Sequence, residues 1–386
     1  MSLVDSSERF RRVVGRYVGG VPGSLVIAIG GLHGNEPAGV FACRRVLEAL
    51  EKERPEFRGT FLALAGNLPA LEQGTRYIDE DLNRIWTSSR TGSPPAHGSD
   101  GTVEANQLQG LRLQIEAALD EAPGPAYFLD LHTTSASGVP FSVFGDTLPN
   151  RRLALILSAP VVLGLDEHLD GTLLNYINNL GHVAVGFEGG RHDSPSAVEG
   201  HELAIWRTLT HSGCIDQSDV RDMTRLTRSF EERVREVPRI VEIRYRHTID
   251  ENDSFQMRPG FENLKPVVDG ELLAHDCRGE IRAGESGHML MPLYQAQGND
   301  GFFIVREVRP FWLAVAAWMR GLGLDAIVPY LPGVDPHPER PDTLVINPRI
   351  ARWFVIEIFH LLGFRKQRPE DGRLVLKRRR ESADRR

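Results

Sequence analysis

"SLVIAIGGLHGNEPAGVFACRRVLEALEK", Ser24 to Lys52, is the stretch on which the fold turns. It begins with a short apolar run ending in two glycines, which predicts a buried strand entering a loop. It ends with apolar positions at helical spacing and Pro37 near their start, where a missing N–H costs a helix nothing. A strand, a glycine-rich turn and a helix, repeated, build a sheet covered by helices. Within the turn, His33 and Glu36 stand three residues apart where neither can fill a core.

The unit recurs along the first half of the chain. "TFLALAGN" (60–67), "AYFLDLH" (126–132) and "HVAVGFEGG" (182–190) read as further buried strands. "EANQLQGLRLQIEAAL" (104–119) and "SPSAVEGHELAIWRTLTHSG" (194–213) read as helices, the second with Ser194 as N-cap before Pro195. After about residue 220 the texture changes. "RIVEIRYRHTI" (239–249) alternates like a half-exposed strand, and the glycine-punctuated 269–294 suggests a small β-barrel or sandwich. The segments at 311–323, 343–348, 349–364 and 372–379 read in turn as helix, strand, helix and strand. "TSSRTGSPPAHGSDGT" (87–102) reads as a surface loop, positioned to cover a site.

With 386 residues the chain exceeds what one core usually serves, so two domains are expected. Residues 1–220 form an α/β unit, a mixed sheet flanked by helices; residues 221–386 form a mainly β domain with a terminal mixed α/β segment. The apolar and charged fractions, 41% and 25%, are those of an ordinary globular protein, and a net charge of -7 gives no reason to expect nucleic acid as a partner. The basic C-terminal "KRRRESADRR" reads as a solvated tail. Three scattered cysteines make neither a disulfide framework nor a CxxC site and point to a reducing compartment, the cytoplasm. No signal-peptide pattern opens the chain, and its apolar stretches fall short of the ~20 residues a membrane span needs, so no membrane role is expected.

In open α/β sheets the ligand site lies beyond the C-terminal ends of the strands. Three such ends carry His33 with Glu36, His132, and Glu188. A catalytic zinc takes three protein ligands of the His/Glu type and leaves one position open. His33 and Glu36 can face one point, His132 offers the third ligand, and Asp130, on the same strand face as His132, can orient it. Each residue also has a plainer reading. His33 can be a loop histidine, Glu36 can favour the positive end of a helix, and Glu188 can cap the helix that follows it. Arg76 and Arg84 can pair with Asp79, Glu80 or Asp81, and His168, His182, His192 and His201 suit surface or packing roles.

"GGLHGNEPAG" (30–39), "GNLPALEQGTRYIDEDLNRIW" (66–86), "DLHTTS" (130–135) and "VGFEGG" (185–190) occur in the order and approximate spacing of the succinylglutamate desuccinylase and aspartoacylase family. This sequence resembles that family over roughly residues 22 to 210, and the family is related to the zinc carboxypeptidases. The resemblance implies a zinc-carboxypeptidase-like catalytic domain with an appended C-terminal β-domain. It implies one Zn²⁺ per chain held by His33, Glu36 and His132, with Glu188 as catalytic acid/base. Arg76 would polarise the scissile carbonyl, Asn83 and Arg84 would bind a substrate carboxylate, and Asp81 would hold an arginine in place.

The physical chemistry agrees. Zinc lowers the pKa of its bound water to about 7, a glutamate can carry the proton from water to leaving amine, and an arginine fork suits a carboxylate. One departure bears on the substrate. Aspartoacylases carry a further arginine about ten residues before the catalytic glutamate, whereas "LLNYINNLGHVAVGFE" (173–188) has none. The expected function is therefore a zinc-dependent hydrolase, of desuccinylase or deacylase type, that cleaves the amide bond of a small N-acyl amino acid. The alternatives are a metallocarboxypeptidase acting on short peptides and a zinc-binding scaffold without turnover.

Overall fold

In a computed structural model of the chain, the apolar run Leu25–Ile29 is the centre of a ten-residue strand, and its side chains are buried on both faces. The structure describes residues 10–91, 101–122, 124–250, 252–322, 328–330, 333–338, 340, 343–346, 364–370 and 373–378. The elements of the first half are β1 (Val13–Val18), β2 (Val21–Gly30), α1 (Ala38–Glu53), β3 (Arg58–Ala65), α2 (Leu68–Gln73), α3 (Ser88–Thr91), α4 (Val103–Glu121) and β4 (Ala126–Thr134). They continue with β5 (Phe141–Val143), α5 (Leu148–Ile156), β6 (Val161–Leu163), α6 (Leu173–Asn179), β7 (Val183–Arg191), α7 (Pro195–His211) and α8 (Met223–Val234). The β-rich part follows as β8 (Ile240–Thr248), β9 (Gln256–Met257), β10 (Pro266–Val267), β11 (Leu272–Asp276), β12 (Gly279–Arg282), β13 (Gly287–Leu290) and β14 (Asp300–Glu307). Beyond it lie α9 (Pro310–Gly321), β15 (Val334–Pro336), β16 (Thr343–Ile346), β17 (Phe364–Glu370) and β18 (Arg373–Arg378).

Among the described residues one sheet of eleven strands runs β1-β3-β2-β4-β7-β5-β6-β8-β14-β13-β10. Its centre is parallel: β2 pairs with β3 on one side and β4 on the other, and β4 pairs with β7. A chain that goes from β2 to one neighbour and later returns to the other leaves a crevice at the ends of β2 and β4, where such sheets bind ligands.

Both faces of the central strands are covered, which is why these strands read as continuous apolar runs rather than alternating ones. On one face Val26 and Ala28 pack with Val46 and Leu50 of α1, Leu153 of α5, Ile205 and Leu209 of α7 and Phe230 of α8. On the other face Leu25, Ile27 and Ile29 pack with Leu108, Leu111 and Ile115 of α4 and Ile177 of α6.

The large mixed sheet flanked by helices and the β-rich C-terminal region are as expected, but the β region is not a closed barrel. β14, β13 and β10 continue the main sheet through β8, while β12-β11-β9 form a separate three-stranded sheet. Met257, Leu273, Met289, Phe302 and Ile304 fill the space between the two layers, a sandwich-like packing. The sheet therefore runs unbroken across residue 220, since β8 is parallel to β6.

Ser194 does stand at the N-cap position of α7, but it makes no side-chain cap; its hydroxyl is shared with Ser196 at 2.8 Å. The segments read as helix, strand and strand at 311–323, 343–348 and 372–379 coincide with α9, which starts one residue earlier, and with β16 and β18, and β15-β16-β18-β17 form a four-stranded sheet. The helix expected over 349–364, the basic tail from 379, and the middle of the loop at 92–100 lie outside the described residues. Among the described residues no helix is long and apolar enough to cross a membrane.

Candidate metal and catalytic site

The turn after β2 can place two functional side chains because its glycines allow a path that other residues would block. Gly31 has φ 71°, and a Cβ on Gly34 would lie 2.0 Å from the Ala70 carbonyl carbon of α2. His33 and Glu36 are thus pressed against the body of the protein and are both buried. Register brings the rest: Gly30 of β2 lies beside Leu131 of β4, and His132 of β4 beside Glu188 of β7.

The Glu36 carboxylate sits between two imidazoles. It lies 2.9 Å from His33 Nδ1 through Oε1 and 3.1 Å from His132 Nδ1 through Oε2, which also accepts the Thr133 N–H at 2.9 Å. Ligand atoms of His33, Glu36 and His132 all fall within 4.8 Å of one another, so the three could hold a metal ion. The outward nitrogens meet acids: His33 Nε2 is 3.1 Å from Asp81 Oδ1, and His132 Nε2 is 3.0 Å from Asp130 Oδ1. With an ion bound, a carboxylate behind each ring would keep the proton on Nε2 and leave the Nδ1 lone pair for the metal, as metal-ligating histidines require.

Burial pushes the Glu36 carboxyl upward, but His33 and His132 outweigh it and hold the group well below the usual carboxylate range. His132 shows the reverse balance. Burial favours its neutral form, while Asp130 and Glu36 raise it well above the ordinary histidine value. Glu188 is lifted to about 8, chiefly by burial; His132 opposes this and Glu36 and Asp130 reinforce it. Neither oxygen of Asp130 has a well-aligned hydrogen-bond donor despite the short approach to His132, and Glu188 Oε2 has no partner.

The segment that carries the arginines is folded over α4. Asp79 Oδ2 accepts the Val103 N–H at 2.7 Å and Glu80 takes Arg90 at 2.5 Å, so both acids turn away from the site. Arg76 is left to Asp81 at 3.0 Å and to Glu36 at 3.6 Å. Asp81 stays ionised well below its ordinary value: burial raises it, and His33 and Arg76 more than compensate. Asn83 is buried, with its Nδ2 3.3 Å from His132 Nε2 and its Oδ1 accepting the Leu173 N–H at 2.9 Å. Arg84 lies 3.7 Å from Asp300.

All nine residues singled out in the sequence except Asp81 line one cleft of about 990 Å³ including its mouth, and Asp81 touches it through His33 and Arg76. Of the four other histidines, His192 also lines the cleft, with Thr133 Oγ1 2.7 Å from its Nδ1. His201 is buried behind the site and its Nε2 is 2.8 Å from the His132 carbonyl oxygen, so a packing role describes it well. Burial lowers its pKa to about 4, which keeps it neutral at pH 7 and able to donate to that carbonyl.

Three contributors were not legible in the sequence. Asp300 and Gln295 come to the cleft from the β-rich region, which carries no motif. Glu104, wholly buried, accepts the N–H groups of Ile78, Asp79 and Glu80 and the Asn67 amide. In sequence it is one more acid in the first turn of a helix.

Residues 22–196 match the family described as "Succinylglutamate desuccinylase/Aspartoacylase catalytic domain". A succinylglutamate desuccinylase of Pseudoalteromonas atlantica is 31% identical over 115 residues, 28% of this chain and 31% of the relative. A human N-acyl-aromatic-L-amino acid amidohydrolase (carboxylate-forming) is 37% identical over 119 residues, 29% of this chain and 34% of the relative. The matched stretch thus spans about a third of the length of these relatives. The crystal structure of a succinylglutamate desuccinylase/aspartoacylase from Rhodobacter sphaeroides has the same fold: TM-score 0.54, 17% identity, 77% of this chain and 88% of that one.

Proposed function

We propose that this chain, whose residues 22–196 match the succinylglutamate desuccinylase/aspartoacylase catalytic domain, is a zinc-dependent hydrolase cleaving the amide bond of a small N-acyl amino acid. The observation that carries the proposal is the convergence of His33, Glu36 and His132, each ring backed by a carboxylate, with Glu188 and Arg76 on one cleft. The donor set suits a divalent ion of the zinc type. The buried carboxylates of Glu36, Asp130 and Glu188 supply the negative charge that such an ion neutralises. An ion bound there supplies Lewis acidity and water ionised near neutral pH.

The chain's own residues supply the rest. Glu188 would accept a proton from the attacking water on its carboxylate and pass it to the nitrogen of the departing amine. Its raised affinity for that proton comes from burial, and a cation beside it draws the value back toward the working pH. Arg76, held by Asp81 at 3.0 Å, would donate to the oxygen of the scissile carbonyl as charge develops there. Arg84 and Asn83 would bind the substrate carboxylate, Arg84 through a planar fork able to make two parallel hydrogen bonds. Asp130 and Asp81 would fix the rings of His132 and His33.

The carboxypeptidase alternative needs an open passage for peptide. Leu293 and Gln295, from the segment between β13 and β14, and Asp300, the first residue of β14, wall part of the cleft and speak against it. The partner is thus a small N-acyl amino acid. The three unpaired cysteines fit a cytoplasmic setting.

The test is to load the full chain with Zn²⁺, measure metal content, and follow amine release from N-acetyl, N-formyl and N-succinyl amino acids and short peptides. About one zinc per chain is expected, with turnover lost on chelation and restored by the metal. A chain that takes up no metal would overturn the reading, and preferential cleavage of peptides longer than dipeptides would replace it with the carboxypeptidase.

A further inference from the structure

Resting on the hydrolase reading, we infer that the amino acid released by this site carries an apolar side chain and no second carboxylate. Two independent features lead there: what lies beside the carboxylate anchor, and how the cleft's cations are already committed.

The anchor is tied to the start of α6. Asn83 Oδ1 accepts the Leu173 N–H at 2.9 Å, and a Cβ on Gly171 would stand 2.1 Å from the Arg84 carbonyl oxygen. The next side chain, Leu174, lines the cleft, and Phe144, Leu165, Leu169, Met291 and Leu293 line it too. Leu174 also lies over β7, since a Cβ on Gly186 would meet its Cδ1 at 3.0 Å, two residues before Glu188. This apolar surface therefore reaches from the carboxylate anchor toward the proton carrier, the space an amino-acid side chain occupies while its carboxylate is held and its nitrogen is being released. The wall is fixed from behind. Leu165 is buried in a core cluster with Phe141, Val162 and Phe303, and Leu169, Leu174 and Met291 pack against the same cluster.

Among the described residues the guanidinium groups lining the cleft are those of Arg76 and Arg84. Arg76 is engaged by Asp81 at 3.0 Å and Glu36 at 3.6 Å. Arg84 is the one guanidinium placed for a substrate carboxylate, and Asp300 stands 3.7 Å from it, itself 2.5 Å from Arg246. Asp166 lines the cleft as well. A second substrate carboxylate would be buried against leucines or meet like charge, and an unpaired buried charge is heavily penalised. A leucine, methionine or phenylalanine side chain in that place gains from burial instead.

The experiment compares kcat/KM of the zinc-loaded full chain for N-acetyl-leucine, -methionine and -phenylalanine with N-acetyl-aspartate, N-acetyl-glutamate and N-succinyl-glutamate. Calorimetric binding of free leucine and free aspartate, which needs no turnover, runs beside it. We expect the apolar substrates to lead by roughly 100-fold or more, and leucine to bind more tightly than aspartate. Leu174→Arg should narrow the gap at least tenfold, chiefly through a lower KM for N-acetyl-aspartate, with circular dichroism verifying its fold. Aspartate or glutamate substrates equal to or better than the apolar ones would overturn the inference while leaving the hydrolase reading intact. If no substrate is turned over, the hydrolase reading falls, and the leucine-against-aspartate binding contrast alone decides this one.

Discussion

Glu104 shows how far from the chemistry a single residue can govern this site. Its two oxygens accept three consecutive backbone N–H groups, at 2.8, 3.1 and 3.2 Å, from the segment that carries Arg76, Asp81, Asn83 and Arg84. Burial raises its carboxyl, yet the N–H of Ile78, the Asn67 amide and the N–H groups of Asp79 and Glu80 bring it below its ordinary value. A carboxylate whose folded value is depressed contributes stability above its unfolded value of about 4.5 and loses it as pH falls through the folded one. Glu104→Gln turns an amide donor toward N–H donors and should cost about 1–3 kcal/mol at pH 7. In urea unfolding the gap from wild type should shrink below about pH 4.5, and a gap that is flat with pH would refute the account. At Glu188 the expected split is between binding and chemistry. Glu188→Gln should retain one zinc per chain yet lose about 10²- to 10⁴-fold in kcat, read by metal analysis and amine release on the same sample; unchanged turnover would sink the proposed proton transfer.

Among the elements, α9 is anchored by a buried ion network in addition to Leu313, which packs in the main core. Arg320 donates to the Asp146 carboxylate and to its backbone carbonyl, both at 2.8 Å, and Arg151 reaches the same carboxylate at 2.7 Å and the Leu313 carbonyl at 3.0 Å. All three charged residues are buried. Removing the shared acid strands two guanidiniums, so Asp146→Asn should destabilise by about 3–5 kcal/mol. Limited proteolysis should then cut first at α9, whereas Phe311→Ala, at a 65% exposed position of the same helix, should change little. Equal protease resistance in both variants would show that the network does not anchor the helix. "FWLAVAAWMRGLG" gives the helix itself, but the anchoring ion network joins residues with no local signature.

For the whole molecule, one sheet runs through both of the stretches that composition separates at residue 220. β14 pairs with β8 and β8 with β6, so the β-rich region extends the main sheet and can deliver Asp300 and Gln295 to the cleft. Burial sorts the thiols. Cys43 and Cys214 are buried, Cys43 being pushed up to about 12 by burial, and Cys277 is exposed. A disulfide reagent should titrate one thiol in the native protein and three after unfolding in denaturant. Rapid native reaction of all three would mean that the folded body opens far more readily than its packing implies.

The chain by itself determined what is local: the apolar runs, the glycine turn after β2, the helix that follows, and the short motifs holding His33, Glu36, His132 and Glu188. These were legible because periodicity, turn chemistry and ligand spacing are set by neighbours a few residues apart. Only the tertiary structure decided that Arg76 faces Asp81 and Glu36 while Asp79 and Glu80 turn to α4, since several acids in "YIDED" were equally near in sequence. The sites of Glu104 beneath that segment, Asp300 beside Arg84 and the leucine wall beside Asn83 were likewise decided there. These depend on which strands lie side by side and which helix covers them. Such contacts are long-range, and no stretch of sequence read alone contains both partners.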